Sequence, residues 1–328
     1  MKTRRNELDF LKTLGLLCII LAHVNPPAFV LQLRNFDVPM MLLLSGILAR
    51  MSFERSASPI SPIAYIGKRF CRLVLPTWLF LMVYFLFLLF FDTLPSSTKI
   101  LRSFLLGDSS IGYVWIVSVY MVCAALTPFA MHINLNNRVH VLLLATLYAL
   151  HETLFHYRIL LPYDMLNDLL YYIIPYGLIL ILGLNYTQIS HTKKRYILCI
   201  SFLIYFCMAV CLYFTHGEYV PTQSFKYPAR IYYLSYAVAC SFLLLDICSS
   251  HRDCRLFKSR IVRFVSSSSF WIYLWHILAL KLITVPLWPV RLVLVTALSC
   301  LITYAQRCLI DHLMKAGFGK RILSIFIG

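Results

Sequence analysis

Lys68-Arg69-Phe70-Cys71-Arg72 is followed at once by LVLPTWLFLMVYFLFLLFF, Leu73 to Phe91, without one charged side chain. A helix needs roughly 20 predominantly apolar residues to cross the hydrocarbon core of a bilayer, and this run supplies them. The three cations ahead of it suit the anionic headgroup region on one side. Working outward, the pattern recurs along the chain, with apolar runs at Leu8–Val24, Val38–Met51, Tyr113–Met131, Val139–His156 and Leu169–Leu184. Further runs follow at Tyr196–Phe214, Ile231–Cys248, Phe270–Pro286 and Val290–Leu313. The expected fold is all-α, a polytopic membrane bundle of about ten transmembrane helices. A single integral membrane domain over residues 1–328 uses the whole length, leaving none for a soluble domain.

Composition agrees. Hydrophobic residues are 60% of the chain and charged residues 13%, with a mean hydropathy of +0.77. A soluble domain carries about a quarter of its residues as charges, so much of this surface must face lipid. The net charge of +17 does not point to nucleic acid, because the cations gather in short loops between apolar runs. With the N-terminus in the cytoplasm, twenty of the thirty Lys and Arg residues are cytoplasmic, seven are outside, and Lys12, Lys281 and Arg307 lie within spans. That asymmetry fixes the orientation, and an even number of spans returns the C-terminus to the cytoplasmic side of an inner or plasma membrane. The basic N-terminus lacks a convincing cleavage site after its apolar run and reads as a retained first span. Most of the eleven cysteines sit in spans and act as small apolar residues. No Cys/His spacing suggests a metal or a disulfide. No internal repeat is visible, which weighs mildly against a transporter.

Ionisable groups inside spans are costly and mark function by default. The first span holds Asp9, Lys12 and His23. At 100° per residue Lys12 lies about 60° from Asp9, and His23 about 20° from Lys12, so the three share one stripe. Roughly 16 Å of helical rise separates Lys12 from His23. An interfacial Asp9–Lys12 ion pair with a snorkelling lysine explains two of them. His23 has a proton affinity suited to drawing a proton from a hydroxyl near neutral pH. Lys68, Arg69 and Arg72 read either as topology anchors or as a site for phosphates. Coenzyme A has a phosphorylated head and a long thin thioester arm; a head held there could aim its arm toward His23. Asp37 reads as a helix cap, and Ser45-Gly46 as a place where a neighbouring helix comes close. Tyr113 and Trp115 open the fourth run, and His276 lies within the ninth. Lys226 and Arg230 belong to an outside loop that reads as an ordinary loop or as the lip of a sugar site.

Taken in order, these stretches resemble the acyltransferase-3 family of membrane acyltransferases, which includes sugar O-acetyltransferases. The resemblance is carried by Asp9-Phe10-Leu11-Lys12 with His23, and by Phe36-Asp37-Val38-Pro39 leading to Ser45-Gly46. Lys68-Arg69 with Arg72, Tyr113-Val114-Trp115 and Tyr273-Leu274-Trp275-His276 complete it. Lys12 stands where many members have Arg, which keeps the charge but loses bidentate geometry. The resemblance implies a ten-helix enzyme that moves an acyl group, acetyl being favoured, from acyl-CoA to a hydroxyl of a sugar or cell-envelope glycan. It implies His23 as general base or covalent acyl carrier, Asp9 and Lys12 as its supporting catalytic residues, and Lys68, Arg69 and Arg72 as holders of the coenzyme A phosphates. Ser45, Tyr113, Trp115, Lys226, Arg230 and His276 are the candidate substrate-binding residues. The competing class is a transporter or flippase for a small molecule or lipid-linked sugar, using the same intramembrane charges as a path.

Overall fold

The computed structural model describes residues 4–56, 60–107, 110–157, 164–317, 319 and 326, apart from the side chains of 164–169 and 171. Lys2, Arg158, Lys320 and Arg321, four cations of the charge count, lie outside the described residues. Among those described there is no strand. The helices are α1 (Asn6–Ala22), α2 (Ala28–Leu33), α3 (Asp37–Arg55), α4 (Pro62–Phe90), α5 (Ser97–Phe104) and α6 (Trp115–Ala130). They continue as α7 (Arg138–His156), α8 (Asp164–Asn185), α9 (His191–His216), α10 (Ile231–Ser250), α11 (Arg260–Leu282) and α12 (Trp288–Lys315), with a 3-10 turn at Thr222–Phe225.

Each of the ten apolar runs coincides with a long helix, and α2 and α5 are short additions. Among the described residues, six segments are long and apolar enough to cross a membrane: Ala28–Arg55, Pro62–Phe90, Arg138–His156, His191–His216, Ile231–Ser250 and Trp288–Lys315. The expected ten are not reached by that measure. α1 has 17 residues and α6 has 16, and the apolar part of α8 is only Tyr172–Asn185. α11 is diluted by Ser266 to Ser269 and by Arg260 and Arg263. The helices also run past the apolar stretches, since helix geometry does not end where lipid does. Lys68, Arg69 and Arg72 therefore sit in the early turns of α4, not in a loop, and Arg50 lies inside α3.

The chain divides into two compact units. The first contains Met1–Pro27, Ile63–Met121 and Asp253–Gly328. In it α1 and α11 run parallel: Thr13 donates to the Val262 carbonyl (3.3 Å), Lys12 to that of Ser266 (2.8 Å), and His23 faces His276 farther along. Parallel neighbours are what an odd number of crossings between them requires, and seven long helices (α3, α4 and α6 to α10) separate α1 from α11 in the chain. The buried serines of α11 (Ser266, Ser268, Ser269) keep that helix slim enough for close approach. α12 turns back after residues 283–287, and Arg291 caps α11 by donating to the carbonyls of Ile283 (3.0 Å) and Leu280 (3.1 Å). α1 stops just before His23 because Asn25 takes a left-handed φ of 57° and Pro26-Pro27 cannot continue a helix.

The second unit contains Ala28–Pro62 and Val122–Arg252. Its tightest contact joins α3 to α8. A Cβ built on Gly46 would stand 2.5 Å from the Leu180 carbonyl oxygen, 2.9 Å from Gly183 Cα and 2.9 Å from the Leu184 nitrogen, all backbone atoms. The close approach expected at Ser45-Gly46 is thus made, with Gly183 as its counterpart. One turn on, the buried Arg50 donates to the carbonyls of Leu184 (2.9 Å) and Met131 (3.1 Å).

Candidate active site

Two polar stations lie along the α1–α11 pair of the first unit. At the N-terminal station Lys12 Nζ donates to the Ser266 carbonyl at 2.8 Å, and Ser266 Oγ donates to Asp9 Oδ1 at 2.6 Å. Arg4 Nε donates to the other carboxylate oxygen at 2.5 Å. Arg72, Asp9, Arg69 and Arg4 all lie within electrostatic reach of the Lys12 ammonium. Arg69 is steadied by Tyr65, whose hydroxyl accepts from its Nε at 3.2 Å and whose ring lies 5.1 Å beneath the guanidinium. Lys68 and Arg72 are exposed. Pro76, four residues after Arg72 in α4, has no N–H for the Arg72 carbonyl, which loosens the helix at this point. One carboxylate among four cations leaves the station strongly positive, the electrostatic requirement for an anionic phosphate group.

At the second station His23 Nδ1 and His276 Nε2 are 3.2 Å apart. His276 is fully buried (0% exposed), and its Nδ1 is hydrogen-bonded to the Tyr273 carbonyl, one turn earlier in α11. The Tyr273 hydroxyl donates to the Tyr113 carbonyl. The Tyr113 ring stands edge-on to His23 with centroids 5.0 Å apart, and to His276 at 6.1 Å. Tyr113 is delivered by a turn in which Gly112 adopts a φ of 79°, a conformation open to glycine. Arg291 and Tyr84 are both near enough to Tyr113 to act on it electrostatically.

The structure therefore brings together Asp9, Lys12, Arg69 and Arg72 at one station, and His23, Tyr113 and His276 at the other. Trp115, half-buried, begins α6 two residues after Tyr113. Ser45, Lys226 and Arg230 belong to the second unit. Ser45 is half-buried on α3. Lys226 is buried, its Nζ 3.7 Å from Asp37 Oδ1, while Arg34 Nη1 pairs with Asp37 Oδ2 at 2.6 Å. Burial pushes the Lys226 ammonium below its usual range, and Asp37 beside it pulls the other way. Asp37 also accepts from the Val38 N–H at 2.8 Å; it is the first residue of α3, whose N-cap position is Phe36 with no side-chain capping bond, so in place of the expected cap it anchors a buried ion cluster. Arg230 pairs with Glu152 at 3.2 Å. Sequence reasoning missed Ser266, which touches Asp9 and was signalled by the serine run in an otherwise apolar span, and it quoted Tyr273 in a motif without giving it the contact with His276. Among the described residues no group of three His, Cys, Asp or Glu side chains is arranged to hold a metal ion.

Comparison with known proteins agrees with this arrangement. A family model described as an acyltransferase domain, that of the acyltransferase-3 family, matches residues 5–305. No curated protein and no solved structure matches the chain. The matched span contains every residue of both stations except Arg4, and most of the chain, so the protein is a membrane acyltransferase belonging to the acyltransferase-3 family.

Proposed function

We propose that the protein transfers an acetyl group from acetyl-CoA to a hydroxyl of a sugar or cell-envelope glycan, working in the inner or plasma membrane with both termini in the cytoplasm. The observation that supports this reading is the pairing of two stations on one helix pair. A cationic cluster (Lys12, Arg69, Arg72) stands at one end and a histidine braced by a second histidine at the other. Roughly 16 Å of helical rise between Lys12 and His23 suits a donor whose charged head and thioester are far apart.

In this reading Arg69 and Arg72, with Lys68, hold the phosphates of the donor, and Asp9 and Lys12 fix the register of α1 on α11. His23 removes the proton from the acceptor hydroxyl as its oxygen bonds to the thioester carbonyl carbon. The carbon–sulfur bond then breaks, and the same proton passes from His23 to the departing sulfur. Tyr113 and Trp115 frame the acceptor beside His23. Ser45, Lys226 and Arg230 shape the α3 helix and the loop over the second unit.

Release of free CoA thiol by the detergent-purified protein, with acetyl-CoA and a panel of free sugars and glycan fragments, tests the reading. Turnover is expected with at least one hydroxylated acceptor and is expected to be lost in His23→Ala. A His23→Ala variant that inserts normally and turns over at the wild-type rate would remove His23 as the base.

A further inference from the structure

We infer that His276 is a positioning residue that locks His23 in one tautomer, presenting the His23 Nε2 lone pair to the acceptor hydroxyl. The inference rests on the reading of His23 as general base and adds a role for a residue that the sequence suggested only as a substrate contact.

The chain of hydrogen bonds decides the proton positions. His276 Nδ1 is hydrogen-bonded to the Tyr273 carbonyl, which can only accept, so this nitrogen must carry the hydrogen. A bare Nδ1 there would set two lone pairs against each other in a fully buried place. In the neutral ring the His276 Nε2 is then an acceptor. It lies 3.2 Å from His23 Nδ1, so His23 Nδ1 carries a hydrogen and donates it. The His23 lone pair is left on Nε2. When His23 takes the acceptor proton on Nε2, the ring becomes an imidazolium whose Nδ1–H remains bonded to His276. No proton needs to cross between the histidines; the proton gained on Nε2 leaves for the thiolate sulfur as the carbon–sulfur bond breaks. Tyr273 supports the arrangement twice, its carbonyl setting the His276 proton and its hydroxyl holding the Tyr113 carbonyl.

The role separates from packing through two variants. His276→Phe fills the buried site with an apolar ring but offers no acceptor. His276→Gln places an amide oxygen near the former Nε2 and so restores one. A tautomer lock predicts that the Phe variant loses about 100-fold or more in kcat for CoA release, the scale of a mis-set general base, with the KM for acetyl-CoA changed less than about threefold. The Gln variant keeps kcat within about tenfold of wild type. Thermal stability is expected in the reverse order, since the apolar ring suits a fully buried site better than the amide. A Phe variant as fast as wild type, or equal losses in Phe and Gln, overturns the lock. If His23→Ala is inactive while His276→Phe is fast, only the role of His276 falls. If His23→Ala is itself fully active, the base assignment falls and the lock falls with it.

Discussion

The glycine contact between α3 and α8 makes a quantitative prediction about what holds the second unit together. In Gly46→Ala the new methyl would stand 2.5 Å from the Leu180 carbonyl oxygen, about 0.9 Å inside the 3.4 Å at which ordinary contact begins. Gly183 Cα and the Leu184 nitrogen are 2.9 Å away. All three are helix backbone, so no rotamer change relieves the clash; the helices must part. A gap of that size forfeits a quarter to a half of the dispersion between the facing surfaces, and overpacking of this kind costs about 1–3 kcal/mol. Separation also stretches the 2.9 Å bond from Arg50 to the Leu184 carbonyl, a charged-donor hydrogen bond worth about 1.5–3 kcal/mol. The better helix propensity of alanine returns about 1 kcal/mol. The net expectation is a loss of about 1.5–5 kcal/mol. Thermal unfolding in detergent reads it, with Gly67→Ala as the control, because a Cβ at Gly67 in α4 meets nothing within 4 Å. Gly46→Ala should melt several degrees lower and Gly67→Ala at or slightly above wild type; a Gly46→Ala protein melting with the control refutes the packing argument.

Two further outcomes are expected. Arg69→Ala/Arg72→Ala should raise the apparent dissociation constant for acetyl-CoA by about 10- to 100-fold, the loss of two charge-assisted phosphate contacts reduced by the exposure of Arg72. Unchanged binding would make the pair simple topology anchors. Glu152 accepts from Tyr148 Oη (2.8 Å), the Ile231 N–H (2.6 Å) and Arg230 Nε (3.2 Å). Glu152→Gln should therefore lower stability by about 1–3 kcal/mol and speed proteolysis near residues 217–230; wild-type resistance there would show that the cluster does not hold the loop.

What the sequence could show follows from how local each signal is. Apolar runs are local, and all ten returned as long helices. The stripe of Asp9, Lys12 and His23 is local too, because 100° per residue relates positions within one helix. The surface that the stripe faces is not. His276 is 253 residues from His23, and Ser266 is 257 from Asp9, so no pattern within a span announces either pairing. Buried charges were only partly legible for the same reason. Lys226 reads as a loop cation until its partner Asp37 comes into view, and the two helix carbonyls that hold Arg50 are visible only in the fold. Asp37 was legible as a residue of the α3 N-terminus but not as a partner of Lys226, which lies far along the chain; the ion cluster, and no side-chain cap, is what it makes.

The same distinction bears on which part of the site carries chemistry. A transport path needs charges that face a route and change partners during the cycle. At the N-terminal station Asp9 is held on both oxygens and Lys12 is bonded to a backbone carbonyl, an arrangement that fixes α1 against α11. At the other station a chain of described partners leads to one ring: Tyr273 fixes His276, His276 engages His23 Nδ1, and the Tyr113 ring stands against His23. Such convergence specifies the orientation of a single nitrogen, which is the demand of proton transfer at a defined atom. A permeation path makes no such demand. The acyltransferase reading thus gains from the way His23 is held, independently of the family match.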